Sequence, residues 1–255
     1  MKIFSGLAAL VTGAGSGLGA ETARELARQG AKVALLDINE AAAQDVAAEI
    51  GGLALRCDIT DSASVSAALD AARQAHGPAR VLMNVAGIGG ARRLVGRDGT
   101  PMPLEDFQRI VNVNLVGTFN VIRLVAAQML QLDPLDDGER GVIVNTASVA
   151  AYDGQVGQEA YAASKGGIVS LTLPLARDLA QFGVRVCTIA PGLFLTPLLH
   201  ELPQDVQQSL AASIPFPKRL GKPEEFAQLA AHIVTNASLN GEVIRLDGAL
   251  RLPPR

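Results

Sequence analysis

Seven short aliphatic runs, at 8–11, 32–37, 53–56, 80–84, 142–146, 185–190 and 242–246, recur along this chain. Each is apolar almost throughout rather than alternating apolar with polar, so each strand must be covered on both faces. The segments between them, 17–29, 40–50, 61–76, 104–130, 159–181 and 223–234, carry apolar residues at helical spacing. Strand–helix alternation with two-sided burial predicts an α/β fold: a Rossmann-type doubly wound parallel sheet of about seven strands with helices on both faces. No linker interrupts the pattern, so residues 1–255 read as a single domain. Two irregular stretches, 88–103 and 191–217, follow strand carboxyl ends, the edge where such sheets bind ligands.

Composition narrows the function classes. With 49% hydrophobic residues the chain can fill a core. Its net charge of −3 comes without any block of like charges, so neither a nucleic-acid footprint nor a basic face for a membrane surface is expected. Cys57 and Cys187 lie in apolar segments and read as packing residues of a reducing compartment. The first residues hold one charge and no long apolar run, and no eighteen apolar residues run uninterrupted. A soluble, cytoplasmic protein without a removable targeting peptide is therefore expected. His76, His200 and His232 are too scattered to be read as a metal site. The segment 113–130 has almost no polar face. One side would meet the sheet and the other a partner subunit, giving a homo-oligomer, or the whole helix would be buried in a monomer.

After the first strand comes Thr12-Gly13-Ala14-Gly15-Ser16-Gly17-Leu18-Gly19, opening directly into a helix. Thr-Gly-x-x-x-Gly-x-Gly should arise by chance only about 0.01 times in such a chain. Gly13, Gly17 and Gly19 would let a pyrophosphate approach backbone N–H groups, with Ser16 and Leu18 in the turn. Asp37 closes the second strand, where a carboxylate accepts hydrogen bonds from ribose hydroxyls and repels a 2′-phosphate, which favours NAD over NADP. Ser148 lies in the loop after the fifth strand, and Tyr161 and Lys165 stand four apart on one helix face. For Tyr161 to act as base, its phenol must lose a proton near neutral pH, a shift of roughly three pH units or about 4 kcal/mol. A lysine ammonium at about 4 Å in an effective dielectric near 20 would supply about that much.

These motifs, with Asp58, Asn84-Val85-Ala86-Gly87, Asn114, Tyr161-Ala162-Ala163-Ser164-Lys165 and Pro191-Gly192, resemble the short-chain dehydrogenase/reductase family in order and spacing along essentially the whole chain. The resemblance implies Asp58 and Ile59 at the adenine, and Asn84, Ala86, Gly87, Pro191 and Gly192 along the cofactor. It also implies Thr196 near the carboxamide and Asn114 in a water-linked proton relay to Lys165. Val85 departs from the family, which often has a second Asn there.

Segments 141–158, 164–180, 188–199 and 239–250 resemble the branch acting on 3-hydroxyacyl-CoA. They imply NAD-dependent oxidation of such thioesters, including short or 2-methyl-branched chains, to 3-ketoacyl-CoA within fatty acid metabolism. Ser148, Gln155 and Tyr161 are the expected substrate contacts, Leu193, Phe194, Leu195, Leu198 and Leu199 an apolar pocket, and a homotetramer the expected assembly. Arg92, Arg93 and Arg97 are candidates to meet CoA phosphates. Alternatives are a steroid or other secondary-alcohol dehydrogenase, and a dinucleotide-binding regulator or scaffold without turnover.

Overall fold

A computed structural model describes residues 5–200 and 203–254; the rest of the chain, including part of the expected substrate loop 191–217, lies outside the described residues, as does the side chain of Leu198. Seven strands, β1 (Ala8–Thr12), β2 (Lys32–Asp37), β3 (Leu53–Arg56), β4 (Ala79–Asn84), β5 (Gly141–Thr146), β6 (Val184–Pro191) and β7 (Val243–Leu246), form one sheet. Its order is β3-β2-β1-β4-β5-β6-β7. Every neighbouring pair is parallel. The chain winds outward from β1 in one direction and from β4 in the other. Their junction is the topological switch point, where a crevice opens beyond the strand carboxyl ends.

Two-sided burial follows the sequence. β1 and β6 are buried at every position. Two apolar clusters flank the sheet: Leu26, Val46, Phe226 and Ile233 belong to one, and Leu69, Ile122, Val125 and Met129 to the other. The first face carries α1 (Gly17–Arg28), α2 (Glu40–Ile50) and α9 (Pro223–Thr235). The second carries α3 (Ser62–His76), α5 (Thr118–Met129) and α6 (Glu159–Ala180), with α4 (Leu104–Val111) packed on α6. Pro174 lies within α6 without ending it.

Three features depart from expectation. The segment 104–130 is interrupted by a π-helical turn, Asn112–Gly117, which widens the helix by one residue beside the site. Residues 191–217 contain two helices, α7 (Pro197–His200) and α8 (Gln204–Ala212), instead of remaining irregular. Finally, the helical segment Leu104–Met129 holds an eighteen-residue stretch of mean hydropathy 1.6, long and apolar enough by composition to cross a membrane. Its Val121, Ile122, Val125 and Met129 are buried in the sheet-covering cluster, so this apolar character serves the core. Its other side leaves Val116 and Phe119 50% and 43% exposed.

Candidate active site

The glycine turn is shaped by backbone-to-backbone packing. The Thr12 hydroxyl oxygen accepts the N–H groups of Val85 at 3.1 Å and Ala86 at 3.2 Å, joining the ends of β1 and β4. Gly13 has φ +66°, and a Cβ there would lie 2.7 Å from the Ala86 Cα. A Cβ on Gly19 would lie 2.0 Å from the Gly13 carbonyl oxygen, so α1 can start this close to β1 only without a side chain. Ser16 caps α1 without a side-chain hydrogen bond to the helix. Because a helix leaves its first N–H groups unpaired, this terminus can receive an anion. Ser16, Gly17, Leu18 and Gly19 all line a cleft of about 800 Å³.

At one end of that cleft, Asp37 is fixed by two backbone donors. Its Oδ2 accepts Gly15 N–H and its Oδ1 accepts Asn39 N–H, each at 2.9 Å. Gly15 thus has a role the sequence did not disclose. Its N–H orients the carboxylate, and a Cβ there would stand 3.0 Å from the same oxygen. Asp58 and Ile59 line the cleft beside Asp37. The Asp58 carboxylate holds Thr60 through both its backbone N–H at 2.9 Å and its hydroxyl at 2.7 Å. Cys57 lies beneath, its thiol pushed up to about 11 chiefly by burial.

Ser148, Tyr161 and Lys165 converge on the other side of the switch point and line the same cleft. Ser148 starts a short 3₁₀ turn after β5, its Oγ accepting Ala150 N–H at 3.1 Å. Tyr161 and Lys165 project from the first two turns of α6, with the ammonium 5.9 Å from the phenol ring centroid. Burial pushes the Tyr161 phenol up, and a hydrogen bond with Ser148 draws it partly back. Lys165 donates to the Thr146 carbonyl at 2.8 Å, and burial brings it down to about 8. Desolvation thus acts against both charged forms, opposing the lowering of the phenol expected from Lys165 together with the charged nicotinamide ring of NAD.

Of the expected catalytic and cofactor-binding residues, two do not reach the cleft lining. Asn84 is buried at the end of β4 and donates to Asn145 Oδ1 at 2.9 Å, an amide pair that joins two strand ends. Asn114, wholly buried in the π-helical turn, accepts Ile88 N–H at 2.8 Å. It donates to the Ile88 carbonyl at 2.9 Å and to Ser164 Oγ at 3.1 Å. Ser164 Oγ in turn donates to the Tyr161 carbonyl at 2.8 Å. Asn114 thus ties the segment after β4 to the turn of α6 that carries Tyr161. Gly87 keeps the floor open, since a Cβ there would stand 3.1 Å from Asn114 Oδ1 and 3.4 Å from Lys165 Nζ. Ala86, Val85, Pro191, Gly192 and Thr196 complete this part of the lining.

Fewer of the expected apolar residues line the cleft than the sequence suggested. Leu193, Phe194 and Leu199 line the cleft, but Leu195 does not, and the Leu198 side chain lies outside the described residues. Gln155 lines it too, donating to the Pro253 carbonyl at 3.0 Å. Arg92 is paired with Asp106. Arg93 and Arg97 are exposed. None of these three arginines lines the cleft. Leu252 does, a contribution from the C-terminal segment that no sequence motif marked.

The profile of the short chain dehydrogenase family matches residues 7–207. The chain is 54% identical over 252 residues to a Bos taurus 3-hydroxyacyl-CoA dehydrogenase type-2, covering 98% of this chain and 97% of that protein. A Drosophila melanogaster protein of the same name is 53% identical, with 96% and 97% covered. Among solved structures, a 3-hydroxyacyl-CoA dehydrogenase type-2 from Mycobacterium avium superposes with a TM-score of 0.94 at 45% identity, covering 99% of this chain and 98% of that one. A Brucella melitensis 3-ketoacyl-(acyl-carrier-protein) reductase complexed with NADH gives 0.86 at 35% identity, covering 98% and 100%. The chain belongs to the short-chain dehydrogenase/reductase family and is an oxidoreductase.

Proposed function

We propose that the protein oxidises 3-hydroxyacyl-CoA thioesters, short and 2-methyl-branched chains included, to 3-ketoacyl-CoA with NAD as acceptor. The observation carrying this reading is that Ser148, Tyr161 and Lys165 open into the same cleft as the glycine turn and Asp37. The residues fit the dinucleotide: bare glycine backbone at a helix terminus suits a pyrophosphate, and the Asp37 carboxylate suits ribose hydroxyls and repels a 2′-phosphate. When bound, oxidised NAD accepts the hydride and adds a positive ring charge to the site. Ser148 holds the substrate oxygen, and the Tyr161 phenolate takes the alcohol proton as the C–H electron pair departs, leaving a ketone. Lys165 favours the phenolate electrostatically and would donate to the ribose of a bound NAD. Asn114 holds the segment through which its water-linked relay to Lys165 would run.

Turnover distinguishes this from a scaffold that merely binds dinucleotide. The Tyr161→Phe substitution is expected to lower kcat by roughly 10² to 10⁴ with NAD affinity unchanged, because only proton transfer is lost. Retention of more than a tenth of kcat overturns the assignment. Higher kcat/KM for a steroid alcohol than for 3-hydroxybutanoyl-CoA or its 2-methyl derivative would favour the other dehydrogenase reading.

Val116 and Phe119, with the half-exposed Leu173 of α6, support a homo-oligomer, and we assign the assembly as a tetramer. Two buried free thiols, Cys57 and Cys187, suit a cytoplasmic location.

A further inference from the structure

The last residues return across the substrate side and are tied down at several points. Leu250 is wholly buried, and its carbonyl accepts Arg245 Nη2 at 2.9 Å. The same guanidinium pairs with Asp153 Oδ2 at 2.6 Å and Asp247 Oδ2 at 2.7 Å, and stands 5.1 Å over the Tyr152 ring. Further on, the Pro253 carbonyl accepts Gln155 Nε2 at 3.0 Å, and the Pro254 carbonyl accepts Val156 N–H at 3.1 Å. The strap is thus stitched to the loop between Ser148 and Tyr161. On its other side Leu252 packs against the cluster of Ile214, Leu220 and Leu250, which Leu193 and Leu210 of the segment after β6 also meet.

We propose that Leu252, carried by this strap and wedged between the two substrate-side loops, is a specificity-determining residue that closes the acyl end of the cleft and limits chain length. This rests on the 3-hydroxyacyl-CoA reading above. Leu252 lines the cleft together with Gln155 and Gln158 of the loop between Ser148 and Tyr161. Its side chain is wholly aliphatic, so what it can recognise is an alkyl terminus rather than a phosphate or a thioester. Asp153 is a positioning residue: it holds the strap through Arg245, whose guanidinium also donates to the Leu250 carbonyl, without itself lining the cleft.

The test is the ratio of kcat/KM for 3-hydroxydecanoyl-CoA to that for 3-hydroxybutanoyl-CoA. Because a single methylene in an apolar pocket is worth tenfold or more in selectivity, Leu252→Ala is expected to raise the ratio about tenfold and Leu252→Trp to lower it about as much. Asp153→Asn, which loosens the strap, should move the ratio in the same direction as Leu252→Ala while leaving the KM for NAD unchanged. If wild type turns over both thioesters and the ratio stays within about twofold in all three variants, the strap has no role in selectivity. If wild type turns over neither, the 3-hydroxyacyl-CoA reading itself is overturned.

Discussion

Two buried cations sit at opposite edges of the same sheet, and their surroundings differ in a way that separates structure from chemistry. Arg185, at the start of β6 on the amino edge, donates through Nε and Nη2 to Glu139 Oε1 at 2.9 and 2.8 Å. Its Nη1 reaches the carbonyls of Ile233 at 2.9 Å, Asn236 at 3.2 Å and Leu239 at 2.8 Å, and its Nη2 also reaches Val234 at 2.8 Å. Those acceptors include the last carbonyls of α9, which a helix leaves without partners and which carry the negative end of its dipole. Lys165 is buried as deeply, yet among the described residues its ammonium makes one hydrogen bond, to the Thr146 carbonyl. A cation that fills its coordination is a fastener. One left with spare donors at the lining of a cleft is poised for a ligand.

Breaking the fastener should have the largest effect. Replacing Arg185 by Met removes the charge beside Glu139 and strips the α9 carbonyls of their donors. Loss of one partner of a buried pair costs roughly 3–5 kcal/mol. The denaturation midpoint should fall accordingly while kcat per folded molecule stays unchanged, because the site lies at the other edge. A large loss of kcat in the folded fraction would show that the two edges are not independent.

Replacing Lys165 by Met should do the reverse. The fall from 10.5 to about 8 corresponds to roughly 3 kcal/mol of destabilisation that the charged lysine imposes on the fold. Between about pH 8 and pH 10.5 the unfolded chain binds more protons than the folded one, so wild-type stability rises with pH across that window. Below pH 8 the full cost is present. The variant should therefore be more stable than wild type at pH 7, by about 2 kcal/mol after the lost Thr146 hydrogen bond is subtracted. The gain should fade toward pH 10.5, and turnover should be lost throughout. Equal stability differences at pH 7 and pH 10, from urea titrations of both proteins, would refute the unpaired-charge account.

The same contrast explains what was legible in the sequence. Strands such as β2 and β5 appear at, or within one residue of, the expected positions because two-sided burial writes a continuous aliphatic run. The glycine turn and the Ser148, Tyr161 and Lys165 cluster were legible because their chemistry demands particular side chains, or none, at fixed spacing. By contrast, α8 contains no buried residue, so it left no apolar stripe to read within 191–217. The π-helical turn shifts one backbone hydrogen-bond register, which no side-chain period records, and with it the role of Asn114 as a tie between Ile88 and Ser164. The strap escaped notice for a related reason: it is anchored partly through the carbonyls of Pro253 and Pro254, which any residue could supply.

Exposed cations form the third case, with the smallest expected effect. Of the loop arginines after β4, Arg92 is already paired with Asp106. Arg93 and Arg97 are exposed, and among the described residues they make neither an ion pair nor a side-chain hydrogen bond. We propose that these two, rather than Arg92, meet the CoA phosphates, since a guanidinium offers a forked donor pair to phosphate. Interactions of exposed charges are worth about 0.2–1 kcal/mol, so Arg93→Ala with Arg97→Ala should raise the KM for a 3-hydroxyacyl-CoA only about two- to fivefold. The KM for the same acyl group on a truncated, phosphate-free thiol should not move. Added salt should mimic the substitutions, because exposed pairs are screened over about 8 to 10 Å near physiological ionic strength. A buried contact would resist salt, as the Arg185–Glu139 pair should. Equal changes in KM for both substrates, or none for either, would remove this loop from CoA recognition and leave Arg93 and Arg97 as solvated surface charges.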